Sequence, residues 1–412
     1  MSDNKFTGTL PDELYDMSAL RFLDLSSNTI AGTISGSFIG QLNRLIRIDL
    51  RHNHIKGTVP PEFDELTGLD FLLLDYNRLT GRIPSWTARW LTRQEISISY
   101  NFLTGSIPCC EETELSQANN GSTSLEMRLR KINLAHNQLT GTVADLISAM
   151  SSLRKSPNNI LWDRAPAAHY DSFSTGELNL GSNRLSGTFP NIAEYSWPKI
   201  QKIDLSDNGL SGTVPVKMMS ENLESIDFSG NNLIGGIPVD LIHFPELAFV
   251  SLGNNDLFGG IPPQFSQMTS LRKLELDNCK LNGTLPTLNE KLEILHAANN
   301  DLTGILPTKL GTMTALREID LHSNLFTGTI PSELGELSFL NKLALEDNIL
   351  VSTIPSSIGK LQMLESITTS RNRLEGSIPD SLCATLKHIS HVAVGCGLAC
   401  SCCYDSGKSC DI

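Results

Sequence analysis

The sequence lacks what most enzymes, nucleic-acid binders and membrane spans need. Its 412 residues contain no Gly-x-Ser-x-Gly elbow, no His-Glu-x-x-His, no Gly-x4-Gly-Lys-Ser/Thr loop and no His-Arg-Asp set. Nucleophile, metal and phosphate chemistry are therefore without their usual residues, and an enzyme is not expected. Basic residues number 32 against 45 acidic ones, a net charge of −13 with no Lys/Arg run of five. Phosphate neutralisation dominates nucleic-acid affinity, so such a chain is a poor partner for DNA or RNA. No run of 18 uncharged apolar residues exists, which excludes a membrane-spanning helix within these residues. The start, Met1-Ser2-Asp3-Asn4, has neither a basic n-region nor an apolar h-region. Aromatics are scarce at 6%, yet Leu and Ile recur throughout, so disorder is not expected.

What is present is a repeat. Aligned on the asparagine of LxxLxLxxNxLxG, copies fall at Asn4, Asn28, Asn53, Asn77, Asn101, Asn137, Asn183, Asn208, Asn231, Asn255, Cys279, Asn300, Asn324, Asn348 and Asn372. Eight of the 14 spacings are 24 residues. This is the leucine-rich-repeat signature, in which Cys279 replaces the usual Asn. The alternating leucines have period two and put a short strand in every repeat. The Asn is expected to satisfy backbone groups where the chain leaves that strand. Pro11, Pro60, Pro84 and Pro331 open a different segment. There apolar residues such as Ile330, Leu334, Leu337 and Leu340 follow a helical stripe, predicting a short helix or 3-10 turn on the convex side.

The end of each repeat, Thr327-Gly328-Thr329-Ile330-Pro331 and its equivalents at Thr80–Pro84, Ser211–Pro215 and Glu375–Pro379, closely resembles the plant-type leucine-rich-repeat class. That class includes receptor-like kinase and receptor-like protein ectodomains and polygalacturonase-inhibiting proteins. The resemblance implies an α/β repeat solenoid wound as a right-handed superhelix, with a parallel sheet on the concave face and a second short strand per turn. It also implies a non-enzymatic recognition module of a cell-surface receptor-like or adhesion protein, extracellular or at the cell surface. Its ligand would be a protein or peptide, with a glycan as the alternative, and it would need no cofactor or metal. A secreted inhibitor or wall-matrix protein of the polygalacturonase-inhibitor kind is the second reading.

The expected organisation is a solenoid over residues 1–382, of about 15 repeats, followed by a cysteine-rich cap over 383–412. The first repeat is truncated: Met1 stands where a strand leucine belongs, which leads us to expect a cap and a signal segment upstream. Two long spacings mark insertions near 109–124 and 154–174. The first holds Cys109 and Cys110, and the second holds Trp162, Tyr170 and Phe173. Either is a tolerated surface excursion or a ligand-contacting island. Cys383, Cys396, Cys400, Cys402, Cys403 and Cys410 are disulfide candidates; His388 and His391 beside them offer a zinc alternative whose spacing fits no standard pair of Cys pairs. Cys279, inside a repeat, is the expected free thiol. Asn120 and Asn282 head glycosylation sequons, and Asn120 reads as the better acceptor because Asn282 falls in a structural turn.

Residues one, two, four and six places before each motif Asn are expected on the concave face. Acidic side chains dominate there, at Asp24, Asp49, Asp75, Glu95, Asp204, Asp227, Glu275, Glu318, Asp320 and Glu346. That acidity points to a cationic or hydroxyl-rich partner. The candidate contact surface is the aromatic and charged patch of Phe22, Arg47, Arg51, Phe71, Asp75, Tyr76 and Tyr100. His52, His136 and His322 read as isolated surface histidines.

Overall fold

The computed structural model describes residues 1–84, 93–107, 129–142, 176–189, 200–216, 219, 221–382 and 391–393. The chain forms two compact units, Met1–Ser211 with Lys217–Ser220 and Gly212–Val216 with Glu221–Ile412. Each is a stack of the same repeat, and the fold class is the α/β repeat solenoid that the resemblance implies.

In the first unit, three-residue strands at Phe22–Asp24, Arg47–Asp49, Phe71–Leu73 and Glu95–Ser97 run parallel. Lys131–Asn133, Glu177–Asn179 and Lys202–Asp204 continue the order. The register sets each motif position against its equivalent, as in Phe22 opposite Arg47 and Arg47 opposite Phe71. Side chains alternate across a strand. The middle residues Leu23, Ile48, Leu72, Ile96, Ile132, Leu178 and Ile203 therefore all enter the core. The second unit repeats the plan from Ser225–Asp227 to Ser366–Thr368 and His391–Ala393. After most motif asparagines comes a second strand, such as Arg78–Arg82 and Phe102–Ser106 in the first unit and, after Asn255 and Cys279, Asp256–Gly259 and Lys280–Thr284 in the second.

The asparagines join each repeat to the one before it. Asn77 is buried and donates through Nδ2 to the carbonyls of Leu74, Asp75 and Leu50, while its Oδ1 accepts the Ile55 N–H. Asn324 does the same with Leu321, His322, Ala297 and Leu302. Two of those four partners belong to the preceding repeat. At Cys279 the thiol makes long contacts to carbonyls, 3.6 Å to that of Leu252 and 3.7 Å to that of Asp277. Cys279 is free, and burial pushes its thiol pKa up, which disfavours the reactive thiolate.

The opposite side is built from 3-10 segments, including Asp12–Asp16 and Pro61–Glu65 in the first unit and Thr308–Thr312, Ser332–Glu336 and Ser356–Lys360 in the second. A proline caps each of these five, its fixed φ setting the entry. One of the equivalent segments, Gly36–Gln41, is a short α-helix. Gly311, Gly335 and Gly359 let successive segments approach closely: a Cβ on Gly335 would overlap the Ser357 carbonyl oxygen, and one on Gly311 that of Glu333. Backbone cannot yield as a side-chain tip can. Gly335→Ala is expected to destabilise the second unit by about 3 kcal/mol through overpacking. Urea unfolding followed by circular dichroism reads this directly, and an unchanged midpoint would mean the stack has slack.

Candidate functional site

The first-strand face of the first unit brings Phe22, Arg47 and Phe71 into one column across neighbouring strands. The Arg47 guanidinium lies 5.6 Å from the Phe71 ring centre, and that of Arg21 lies 5.9 Å from Phe22, which is 61% exposed. Behind them Asp49, its side chain 1% exposed, accepts from Arg47 at 2.8 Å and from Arg51 at 2.9 and 2.7 Å. Burial alone would raise the Asp49 pKa, but the two guanidinium hydrogen bonds outweigh it and the pKa is lowered. A lowered carboxyl contributes stability above its unfolded value that is lost as pH falls. Asp75 is not an outward contact. It is buried and accepts from the Ser97 hydroxyl at 2.6 Å, the Ser99 hydroxyl at 2.5 Å and the Ser99 N–H at 2.8 Å.

One place further along each repeat, just before the Asn, the backbone turns left-handed. Most repeats put a small polar residue there, as at Ser27, Ser182, Asp207 and Ser323, all with φ near +50°. Four successive repeats carry rings instead, at His52, Tyr76, Tyr100 and His136, in the same conformation with φ between 52° and 54°. Identical backbone geometry on strands about 4.8 Å apart makes the side chains eclipse. The rings form one stack, with centres 4.3, 4.1 and 3.9 Å apart and planes within 22° of each other. The neighbouring Tyr100 hydroxyl raises the Tyr76 pKa. Between this stack and His54, Arg78 and Phe102 on the following segments lies an open pocket of about 650 Å³.

His52 and His136 are therefore not isolated surface histidines but the two ends of this stack. His322 is not isolated either; its Nδ1 lies 2.5 Å from Asp320 and its Nε2 lies 3.2 Å from the Asn299 amide. Reading the position before each Asn as a column, His-Tyr-Tyr-His, was the signal that would have found the stack.

The acidic surface is also less open than its composition implies. Asp24, Asp204 and Asp227 each accept from the Ser hydroxyl two residues on. Glu95 pairs with Lys131, Glu275 with Lys273, and Asp320 with Lys342. Glu346 accepts from the Thr368 hydroxyl and Glu318 bonds His296. With Asp49 and Asp75, all ten carboxylates expected to attract a cation already have a partner in the fold.

His296 lies 3.0 Å from Glu318, 3.6 Å from Glu275 and 3.9 Å from Asp277. Burial disfavours its charged form, but the neighbouring carboxylates of Glu275, Asp277 and Asp320 outweigh it and raise the pKa above 6.5. Asp277 itself is pushed up by burial. A raised imidazole pKa contributes stability that is complete below about pH 6.5 and is lost as pH rises through the folded value. His296→Gln should therefore remove a fall in unfolding midpoint between about pH 6.5 and pH 8. Parallel urea titrations at the two pH values measure this, and the same slope in both proteins would refute it.

Among the described residues no group of three or more His, Cys, Asp or Glu side chains is arranged to hold a metal ion. No helix among them is long and apolar enough to cross a membrane. Cys109, Cys110, Asn120, Trp162, Tyr170, Phe173 and the six tail cysteines lie outside the described residues, as does His388, and the His391 side chain is likewise not described.

The Leucine Rich Repeat family model matches residues 19–41, 44–66, 128–150, 222–244 and 315–337. Receptor-like protein 35 of Arabidopsis thaliana is 25% identical over 240 residues, 53% of this chain and 22% of that protein. Receptor-like protein 39 of the same plant is 30% identical over 269 residues, 52% of this chain and 29% of that one. The matches span 22% and 29% of the length of these two curated relatives. In structure the chain is similar to the ectodomain of the Arabidopsis thaliana membrane receptor kinase GASSHO1/SCHENGEN3, solved with CASPARIAN STRIP INTEGRITY FACTOR 2. That likeness has TM-score 0.71 and 27% identity over 96% of this chain and 48% of the other. The plant peptide hormone receptor RGFR1, solved with RGF2, gives TM-score 0.67 and 26% identity over 97% of this chain and 66% of its own.

Proposed function

Since the chain is a leucine-rich-repeat protein similar to plant receptor-like proteins and receptor ectodomains, we propose that it is a non-enzymatic recognition module, extracellular or at the cell surface, that binds an extended peptide. The reading rests on one observation: a stack of four rings beside an open pocket, at positions where most other repeats carry Ser, Asp or Asn. Exposed aromatics that are already ordered lose little freedom on binding, which is why they serve as anchors. The Arg78, His54 and Tyr side chains at the pocket supply hydrogen-bond donors, so the peptide that fits is rich in acceptor groups, carboxylates above all. Phe22, Arg47, Arg51 and Phe71 extend the contact along the strand face. Support also comes from the neighbours: RGFR1 and HAESA are plant receptors solved with peptide hormones.

The test is a screen of the purified chain against a library of synthetic secreted-type peptides. Hits should be captured by the native chain and lost by a Tyr76→Ser, Tyr100→Ser double variant. Hits retained by that variant would place binding elsewhere.

A further inference from the structure

The second strand of most repeats carries Thr or Ser, as in Thr80-Gly81 and Thr104-Gly105-Ser106. Two successive repeats of the second unit break this with Ile234-Gly235-Gly236 and Phe258-Gly259-Gly260, and the next reads Asn282-Gly283-Thr284. The strands pair with Phe258 opposite Lys280 and Gly259 opposite Leu281, which leaves Gly260 beside Asn282. A Cβ on Gly260 would meet only the Asn282 carbonyl, at 3.7 Å, and one on Gly259 or Gly283 would meet nothing within 4 Å. In the first unit the residue equivalent to Gly260 is Thr58 or Arg82, whose side chains cover the neighbouring glycine. Phe258 is two residues before Gly260 and is 54% exposed; Ile234 on the strand before is 50% exposed. Asn282 is exposed, and its carboxamide has no hydrogen bond to any described residue, unlike the buried ladder asparagines. The turn position that disfavoured Asn282 in the sequence is thus an open strand position in the fold.

We propose that Asn282 is a site of N-linked glycosylation and that the first sugar of the glycan rests on the apolar clearing formed by Phe258, Ile234 and Gly259-Gly260. The side chain meets the sequon requirement through Thr284. In the transfer, Asn282 Nδ2 attacks the anomeric carbon of an oligosaccharide linked to a lipid diphosphate. The carbon–nitrogen bond forms as the anomeric carbon–oxygen bond breaks, the lipid diphosphate leaves with the electron pair, and the amide proton passes to a base of the transferase. The C–H face of the pyranose then covers exposed apolar surface that the fold leaves without a protein neighbour among the described residues. The proposal rests on the secretory route implied by the reading above.

The experiment expresses the full chain behind a secretion signal in a eukaryotic host. Peptides covering Asn282, from both the microsomal and the secreted pools, are analysed by mass spectrometry before and after peptide-N-glycosidase. The expected result is a glycan on Asn282 in most molecules and none in Asn282→Gln. In Phe258→Thr, which restores the residue found at Thr80 and Thr104, occupancy should persist while enzymatic release from the folded protein becomes about fivefold faster. Bare Asn282 in both pools would overturn the site. Equal release rates would overturn the seating on Phe258. Neither outcome depends on peptide capture by Tyr76 and Tyr100, so the two readings fail separately.

Discussion

Asn324→Ala is expected to lower the stability of the second unit by about 4 kcal/mol, because each buried backbone group left without a partner costs roughly 1–3 kcal/mol and partial relaxation recovers some of the sum. Four groups are affected: the carbonyls of Ala297, Leu321 and His322 and the N–H of Leu302. Water has no easy access, since the amide they surround is buried. The chain carries its own control. Cys279 fills the equivalent place with carbonyl contacts of 3.6 and 3.7 Å, so Asn324→Cys should fall between the native protein and the alanine variant. Urea-induced unfolding followed by circular dichroism ranks the three. An alanine variant as stable as the native chain would mean that these bonds are replaced on mutation, and the account of the ladder would fail.

The second large effect is on binding. Tyr76→Ser with Tyr100→Ser should weaken capture of a selected peptide by at least about thirtyfold, as expected when a central aromatic anchor worth about 2 kcal/mol or more is removed. The fold should tolerate the change. Ser27, Ser182 and Ser323 occupy the same left-handed position with φ of 54°, 52° and 52°. The tyrosines are also exposed, so their loss opens no cavity. Titration calorimetry on variant and native protein, with circular dichroism as the folding check, separates recognition from stability. A change below about threefold, within about 0.7 kcal/mol, would show that the stack is a structural ornament of the surface and not the anchor.

The parts of this molecule that repeat were legible in its sequence. Leu23, Ile48 and Leu72 could be placed in the core, and the convex 3-10 turns after Pro60 and Pro331 anticipated, because a period fixes both side and register. What escaped was lateral contact. His136 follows Tyr100 by 36 residues, yet the rings are 3.9 Å apart, since an insertion lengthens the chain without lengthening the step between strands. Asp75 read as surface charge because nothing in its own repeat reveals that Ser97 and Ser99 of the next one enclose it. The acidic excess misled for the same reason. A composition counts charges, whereas the distance from Lys131 to Glu95, 3.7 Å, is a property of two strands.

The left-handed position before each Asn has a consequence for how such a chain changes over time. The backbone there is held by the leucine core and the Asn ladder beneath it, and it takes His, Tyr, Ser, Asp, Asn or Arg in one conformation. A point mutation at that position alters what is displayed and leaves what is packed untouched. Specificity can therefore drift one repeat at a time along a line of equivalent letters, with intermediate forms that remain folded. A ligand that reads several letters in sequence imposes an order on them without imposing any demand on the core.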